Sequence, residues 1–414
     1  MNILVSTLGS YGDVYPFIGL SVQLSRRGHN VTFLTNPFFE KLARKYDLNF
    51  VPIGTRQQYE EFSNHPLLFD PRKSLSVFFK TLIIPSIRPG YKQICERIQP
   101  DKTALVSANT VFAARLVQEK HKIPTITVHN IPMALRSAYE LSKNRMFPIP
   151  DWFPLAIKRF YWWVADKAVL DPLICPELNA FRKELRLAPA SRIMTKWSNS
   201  PYMVIGLFPP WFAHPQPDWP PETRLTGFPL FDEDQEAPTP PEISAFVDED
   251  EPPIVFMPAS LMQQAEQFFN VAVQACQEIG QRAILLSRYK HQIPDHLPEG
   301  IQHFEYIPLK HILPRVKALV HQGGIGTCAQ ALRSGIPQLI RPMAYDQFDN
   351  AWRLKQLGVG DWINPEDWQV STVTVKLIEI ISSSRIHDRC QAVSRKFEGI
   401  SPLIETCKLI ESAQ

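Results

Sequence analysis

Three short segments of this chain set polar side chains beside glycines where apolar runs end. The first is Ala318-Leu-Val-His-Gln-Gly-Gly-Ile-Gly-Thr327. A buried strand ending at His321, a glycine turn, and a helix starting at Gly326 or Thr327 are expected. A helix N-terminus offers unpaired N–H groups and partial positive charge, and glycines at 323, 324 and 326 let backbone come close, so the segment suits a diphosphate. His321 can donate a further hydrogen bond, and Thr327 can add its hydroxyl. No Gly-Lys-Ser/Thr follows, so this is not a nucleotide-triphosphate loop, nor is it the dinucleotide G-x-G-x-x-G. The same residues also fit a tight strand–helix turn around a core histidine.

The second segment is Arg341-Pro-Met-Ala-Tyr-Asp-Gln-Phe-Asp-Asn350. Asp346 and Gln347 stand at a strand-to-helix junction, where a carboxylate beside an amide suits the hydroxyls of a sugar. Asp346 equally suits a helix cap, with Asp349 favouring the positive end of that helix. The third is Leu8-Gly-Ser-Tyr-Gly-Asp13. Here Asp13 sits at the C-terminal rim of the first strand as a general base for a hydroxyl. Its alternative is an N-cap for a helix beginning near Val14, with Pro16 in the first turn. Five of the 17 glycines in this glycine-poor chain lie in the first and third segments.

These loops need strands and helices in alternation. Ile3 to Ser6, Val31 to Thr35, Asn49 to Ile53, Ala104 to Ser107 and Pro124 to His129 read as strands, with helices expected over 17–29, 37–46 and 109–121. The alternation restarts with strands at Ile254 to Met257, Ala283 to Ser287, Ala318 to His321 and Gln338 to Ile340. Helical patterns cover 262–279, 327–334, 347–357, 371–382, 386–398 and 402–412. Two α/β domains with parallel sheets follow, with ligand sites at strand C-termini.

Of the 38 prolines, 14 lie between Pro201 and Pro258. The expected division is an N-terminal domain over 1–231, an acidic, extended linker over 232–251, a C-terminal domain over 252–398 and a terminal helix over 399–414. Residues 1–231 carry 28 Lys+Arg against 17 Asp+Glu, while 232–251 carry nine acids and no base. The basic first half suits an anionic ligand or a negatively charged membrane face, and equally fits lysines and arginines scattered over the surface. No basic run exceeds two residues, so nucleic acid is not an expected partner. The six cysteines show no metal-ligand spacing, and no run approaches the roughly 18 apolar residues of a membrane span. The opening Met-Asn-Ile-Leu-Val-Ser is too short for a signal peptide. A cytoplasmic protein, peripheral at most to the inner face of a membrane, is expected.

Gly9-Ser-Tyr-Gly-Asp13, the H-x-G-G-x-G-T of His321 to Thr327, and Asp346-Gln347 together resemble the inverting nucleotide-sugar glycosyltransferases of the two-domain GT-B type. That group includes plant, macrolide, glycopeptide and sterol transferases. Within it, Phe208-Pro-Pro-Trp-Phe-Ala213, Leu225-Thr-Gly-Phe-Pro-Leu-Phe231 and Asp346-Gln-Phe-Asp-Asn350 are similar to the rhamnosyltransferases of rhamnolipid synthesis, over nearly the whole length. The resemblance implies two Rossmann-like domains, with the C-terminal helix returning to the first. It makes Asp13 the base and puts Gly9, Ser10 and Gly12 on the acceptor side. Ser260, His321, Gly323, Gly324, Gly326 and Thr327 become contacts to the donor diphosphate, and Asp346 and Gln347 contacts to its sugar. Tyr306 and Ile307 fall where the nucleoside base would lie. Ala259 replaces the glycine that usually precedes Ser260.

The implied reaction moves a hexose, rhamnose by resemblance, from a dTDP- or UDP-sugar to a hydroxyl of a hydroxy fatty acid or other lipid. No metal and no cofactor beyond the donor substrate are expected. The alternatives are a glucosyltransferase acting on a sterol or other small hydrophobic natural product, and a catalytically inactive nucleotide-sugar-binding relative. A nicotinamide-dependent oxidoreductase lacks its glycine fingerprint. The aromatic stretch 147–163 is a candidate channel lining or membrane contact, although any single one of these aromatics fits an ordinary core position better.

Overall fold

The computed structural model describes residues 1–143, 149–231, 240–249, 251–259 and 261–413. Two compact units divide them, Met1–Phe231 with Ser401–Gln414, and Asp232–Ile400. Each is built on one parallel sheet.

In the first unit the strands are β1 (Asn2–Ser6), β2 (Asn30–Thr35), β3 (Asn49–Pro52), β4 (Thr103–Ala108), β5 (Thr125–His129), β6 (Met203–Gly206) and β7 (Thr223–Leu225). They lie in the order β3-β2-β1-β4-β5-β6-β7. Ile3 pairs with Val31 on one side and Ala104 on the other. Every residue of β4 is buried, as a strand covered on both faces requires. The order reverses between β1 and β4, and ligands of such sheets bind outside the strand C-termini at that point. The Gly9–Asp13 loop leaves β1 there.

Helix α1 (Tyr11–Arg26) starts six residues before the apolar periodicity suggested, with Ser10 as N-cap. Asp13 is thus the third residue of the helix rather than part of a loop or its cap, and Pro16 falls inside the helix. The segment beyond 147, read from sequence only as aromatic and proline-rich, holds helix α2 (Leu155–Val164), a longer helix over Asp171–Glu184, and strands β6 and β7.

The second unit contains β8 (Ile254–Met257), β9 (Ala283–Leu286), β10 (Ile301–Phe304), β11 (Ala318–His321), β12 (Gln338–Ile340) and β13 (Gly360–Trp362), in the order β10-β9-β8-β11-β12-β13. All the pairings are parallel. The reversal falls between β8 and β11, and the glycine turn leaves β11 at that point. β8, β11 and β12 form over the residues their apolar runs suggested. Neither β10 nor β13 was anticipated, since β13 is three residues long and neither is a sustained apolar run.

The acidic segment requires a correction. Residues 232–239 lie outside the described ones, but Pro241–Val247 is helix α3, not extended linker. Ile243, Phe246 and Val247 stand at helical spacing among the acids and pack with Val255, Ile284 and Leu313. Arg282 Nη2 donates to the Phe246 carbonyl at 2.6 Å, and its guanidinium lies 4.0 Å over the Phe246 ring. Three apolar side chains on one face outweigh the high charge of the segment.

Three more helices of this unit matter below: α4 (Glu266–Glu278), α5 (Ile325–Ser334) and α6 (Gln347–Leu357). The last helix, α7 (Pro402–Ser412), belongs to the first unit. Its Glu411 receives two bonds from Arg27, at 2.7 and 2.6 Å, and lies 2.8 Å from His29 Nε2.

Candidate active site

In the first unit, the Asp13 Oδ2 accepts the Ser10 backbone N–H at 2.8 Å and the Ser10 hydroxyl at 3.0 Å. The Asp13 carbonyl accepts from Thr7 Oγ1 at 3.0 Å and Asn130 Nδ2 at 3.4 Å. Burial raises the Asp13 pKa above its ordinary 3.8, and the Ser10 and Asn130 donors offset this in part. A raised pKa makes the carboxylate a better base than an ordinary aspartate.

Gly9, placed on the acceptor side by the resemblance, makes room for Asp13. Its φ is +146°, and a Cβ there would run into Asp13 Oδ2, Cγ and Cβ. Ser10 orients the carboxylate directly, whereas Gly12 is exposed on the first turn.

In the second unit, helix α5 begins at Ile325 with Gly324 as N-cap and no side-chain cap. Its first backbone bond runs from Cys328 N to Gly324 O, 3.0 Å. The N–H groups of the first turn are therefore left for another acceptor. Nothing lies within 4 Å of where a Gly326 Cβ would be. Thr327, third residue of the helix, is half-buried.

His321 differs from the expectation. Its ring is fully buried, with Nδ1 accepting the Gly323 N–H at 3.1 Å and Nε2 lying 3.0 Å from Gln338 Oε1. An amide N–H can only donate, so Nδ1 is bare and Nε2 carries the proton. Both nitrogens are used within the protein, leaving no donor for a diphosphate. Burial lowers the His321 pKa to about 4, with the Gln338 bond acting the other way. Its role is to hold the glycine turn. Gly323, at φ +91°, fits because a Cβ would lie 2.8 Å from Ile340 Cγ2 and 3.2 Å from the Gln347 carbonyl.

The Asp346–Gln347 junction is tied to the same turn. Asn350 Nδ2 donates to the Gly323 carbonyl at 2.9 Å and to Asp346 Oδ2 at 2.6 Å. Gln347 Oε1 accepts from Met343 N at 2.7 Å and Ala344 N at 3.1 Å. Its carbonyl shapes the loop, so only its amide N–H groups remain for a sugar. Tyr345 holds the left-handed φ of +57° just before Asp346, a conformation that collects at functional loops. Asp346 also adds to the burial that pushes the Cys328 thiol well up.

One further expectation changes. Ile307 is 2% exposed and packs in the core with Ile284 and Leu309, so its side chain cannot meet a nucleoside. Tyr306 is exposed, with Arg288 5.7 Å over its ring. Ser260 lies outside the described residues. Among the described residues, no three His, Cys, Asp or Glu side chains gather as metal ligands would.

Sequence reading missed Gln338, Asn350, Asn130 and Arg341. The first three are amides whose importance lies in what they bond, which spacing does not reveal. Arg341, at the end of β12, is buried over Trp368, and its Nε has no hydrogen-bond partner.

Residues 3–139 match the glycosyltransferase family 28 N-terminal domain, and residues 274–397 match the erythromycin biosynthesis protein CIII-like C-terminal domain. The sterol 3-beta-glucosyltransferases of Aspergillus clavatus and Pichia angusta are each 25% identical, over 98% and 97% of this chain. The chain spans only 29% and 33% of their lengths. The crystal structure of the kitacinnamycin glycosyltransferase aligns over 100% of this chain and 98% of that one, at 18% identity and a TM-score of 0.75. The spinosyn rhamnosyltransferase SpnG complexed with thymidine diphosphate aligns over 99% and 100%, at 17% identity and a TM-score of 0.67. These likenesses show the fold.

Proposed function

We propose, from the premise that this chain is a glycosyltransferase of the GT-B fold, that it transfers a hexose from a nucleoside-diphosphate sugar to a hydroxyl of an apolar acceptor, with inversion. The observation that carries this reading is the uncapped first turn of α5, open at Gly326 and followed in sequence by the Asp346–Gln347 loop tied to it through Asn350.

The acceptor oxygen attacks the anomeric carbon as the bond from that carbon to the β-phosphate oxygen breaks. Asp13 takes the hydroxyl proton. The negative charge that grows on the departing diphosphate is met by the free N–H groups and positive end of α5, which are fixed before the reaction begins. Thr327 adds its hydroxyl, and Asp346 with the Gln347 amide N–H groups holds the sugar. Even with its raised pKa, Asp13 is a weak base for an alcohol, so proton transfer is late and concerted with bond formation.

The curated relatives favour glucose as the sugar and a sterol or other small hydrophobic molecule as the acceptor. A second reading, rhamnose to a hydroxy fatty acid, is favoured by Phe208–Ala213, Leu225–Phe231 and Asp346–Asn350. All six cysteines are free thiols, which suits a reducing, cytoplasmic setting. An apolar acceptor suits peripheral contact with a membrane.

The test is a thermal-shift screen with UDP and dTDP, then mass spectrometry of products from UDP-glucose and dTDP-rhamnose with sterol and hydroxy-fatty-acid acceptors. A shift with neither nucleotide overturns the reading. Product mass separates glucose from rhamnose.

A further inference from the structure

Six of the twelve large apolar side chains exposed among the described residues lie between Trp152 and Val169, on and beside helix α2. Trp152 is 79% exposed, Phe160 62% and Trp163 49%, joined by Ile157, Val164 and Val169. Phe160 and Trp163 stack on one another at 5.7 Å, outside the protein core.

The opposite face of α2 is firmly seated. Trp162 donates from Nε1 to the Ser137 carbonyl at 2.7 Å, and Arg136 lies 4.7 Å over its ring. Lys158 Nζ donates to the Asp151 carbonyl at 2.6 Å. Trp162 packs with Ala138 and Leu141, flanked by Leu155 and Tyr161. The outward aromatics are therefore held outward and cannot turn in.

The charge along this face is net positive: the exposed acid beside it, Asp151, is paired with Lys143 at 2.5 Å, and Lys167 lies 3.9 Å from the buried Asp171. Between Trp152 and Val169 the only exposed charged residues are Arg159 and Lys167. The one acid in that stretch, Asp166, is fully buried and bonded to Arg136, at 2.9 Å, and Thr195, at 2.9 Å.

We propose that this face of α2 is a membrane-docking surface that seats Trp152, Phe160 and Trp163 in the interfacial layer of a bilayer and Arg159 and Lys167 against anionic headgroups. Indole and phenyl rings with interleaved cations are what such interfaces select. Exposed apolar side chains concentrated in this way mark an interaction site. The charge decides its partner: a symmetric contact with a second copy would bring the same cationic face against itself, whereas anionic lipid complements it. The surface deepens the reading of an apolar acceptor, because it would bring the enzyme to where such an acceptor is dissolved.

Co-sedimentation with vesicles tests it, using phosphatidylcholine alone and phosphatidylcholine mixed with phosphatidylglycerol. The intact chain should partition to both, and more strongly to the anionic mixture. The combined W152S, F160S and W163S variant, altered only at exposed positions, should keep its melting temperature and lose at least about tenfold in partitioning. R159E with K167E should lose the anionic preference alone. Absence of partitioning by the unaltered chain overturns the proposal, as does unchanged partitioning of the triple variant. A lipid-free dimer that the triple variant abolishes assigns the face to self-association and also overturns it. UDP and dTDP thermal shifts on the same samples separate the two readings: vesicle binding without nucleotide binding sinks the donor assignment and leaves this surface standing.

Discussion

His321 donates from Nε2 to Gln338 Oε1 across 3.0 Å, so the histidine of the glycine segment faces the strand beside it and not a ligand. With Nδ1 committed to the Gly323 amide, the ring acts as a fixed strut under the turn. His321→Ala should therefore lower thermal stability, by about 1–3 kcal/mol for the groups left unpaired, together with affinity for UDP or dTDP. Gln338→Ala should reproduce both effects more weakly. Calorimetry with parallel melting curves checks this. Lost affinity without lost stability would return His321 to a direct diphosphate contact.

Asp13→Asn keeps the size of the side chain and removes the proposed base. Turnover should fall by about 10²–10⁴-fold with the affinity for UDP or dTDP unchanged. In the unaltered enzyme the rate should decline as pH falls through the raised pKa of Asp13, so the acid limb lies above that of an ordinary aspartate. A limb at or below 3.8, or near-normal turnover of the variant, would remove Asp13 from this role.

Gly9→Ala adds one methyl group where the Asp13 carboxylate already stands. The carboxylate must move, and a displaced catalytic group costs on the order of 10²-fold. The loss should appear in kcat, with donor affinity retained. Gly12→Ala, on the exposed side of the same turn, should change kcat little. Equal effects of the two would show that Asp13 is not held as described.

Two buried histidines make stability depend on pH in both units. Burial lowers the pKa of His129, like that of His321, to about 4 from an ordinary 6.5. Between pH 6.5 and 4 the unfolded chain takes up protons that the folded chain refuses, so stability falls as pH falls through this window. Each histidine contributes on the order of 3 kcal/mol by pH 4. Asp13 acts in the opposite sense, because its raised pKa favours the protonated folded form. Denaturant melts from pH 7 to 4.5 should show the decline, and a flat profile would contradict the neutral state of both rings.

Arg341 is a buried guanidinium whose pKa burial lowers, and its Nε lacks a partner. Such a charge costs stability, and an apolar residue of similar length relieves that cost. Arg341→Met should hold or raise the melting temperature by a few degrees. A large drop would show that the ring contact with Trp368 outweighs the charge.

Much of the scaffold was legible because parallel strands buried on both faces read as unbroken apolar runs: Ile254–Met257 and Ala318–His321 form where their runs stand. Helix α1 was misplaced because its first turn is defined by Ser10 and Asp13 bonding each other, which apolar spacing does not register. Helix α3 was hidden by its acids, although Ile243, Phe246 and Val247 carried the helical spacing. At the candidate site, the types and loops of Asp13, Asp346 and the glycines were readable. What each does was not, because their roles come from contacts that spacing does not show: Gln338 for His321, Asp13 for Gly9, and the Met343 and Ala344 amides for Gln347.

Helix α7 completes the first unit from the far end of the chain, so that unit is made of two pieces with the second unit inserted between them. Residues 1–231 expressed alone would leave bare the surface that Cys407 and Ile410 cover and would leave Arg27 and His29 without Glu411. The separable module is 1–231 joined to 401–414. A protease cut in the stretch before Pro240 would not release it cleanly, since the downstream fragment would still hold the first unit through its last eleven helical residues.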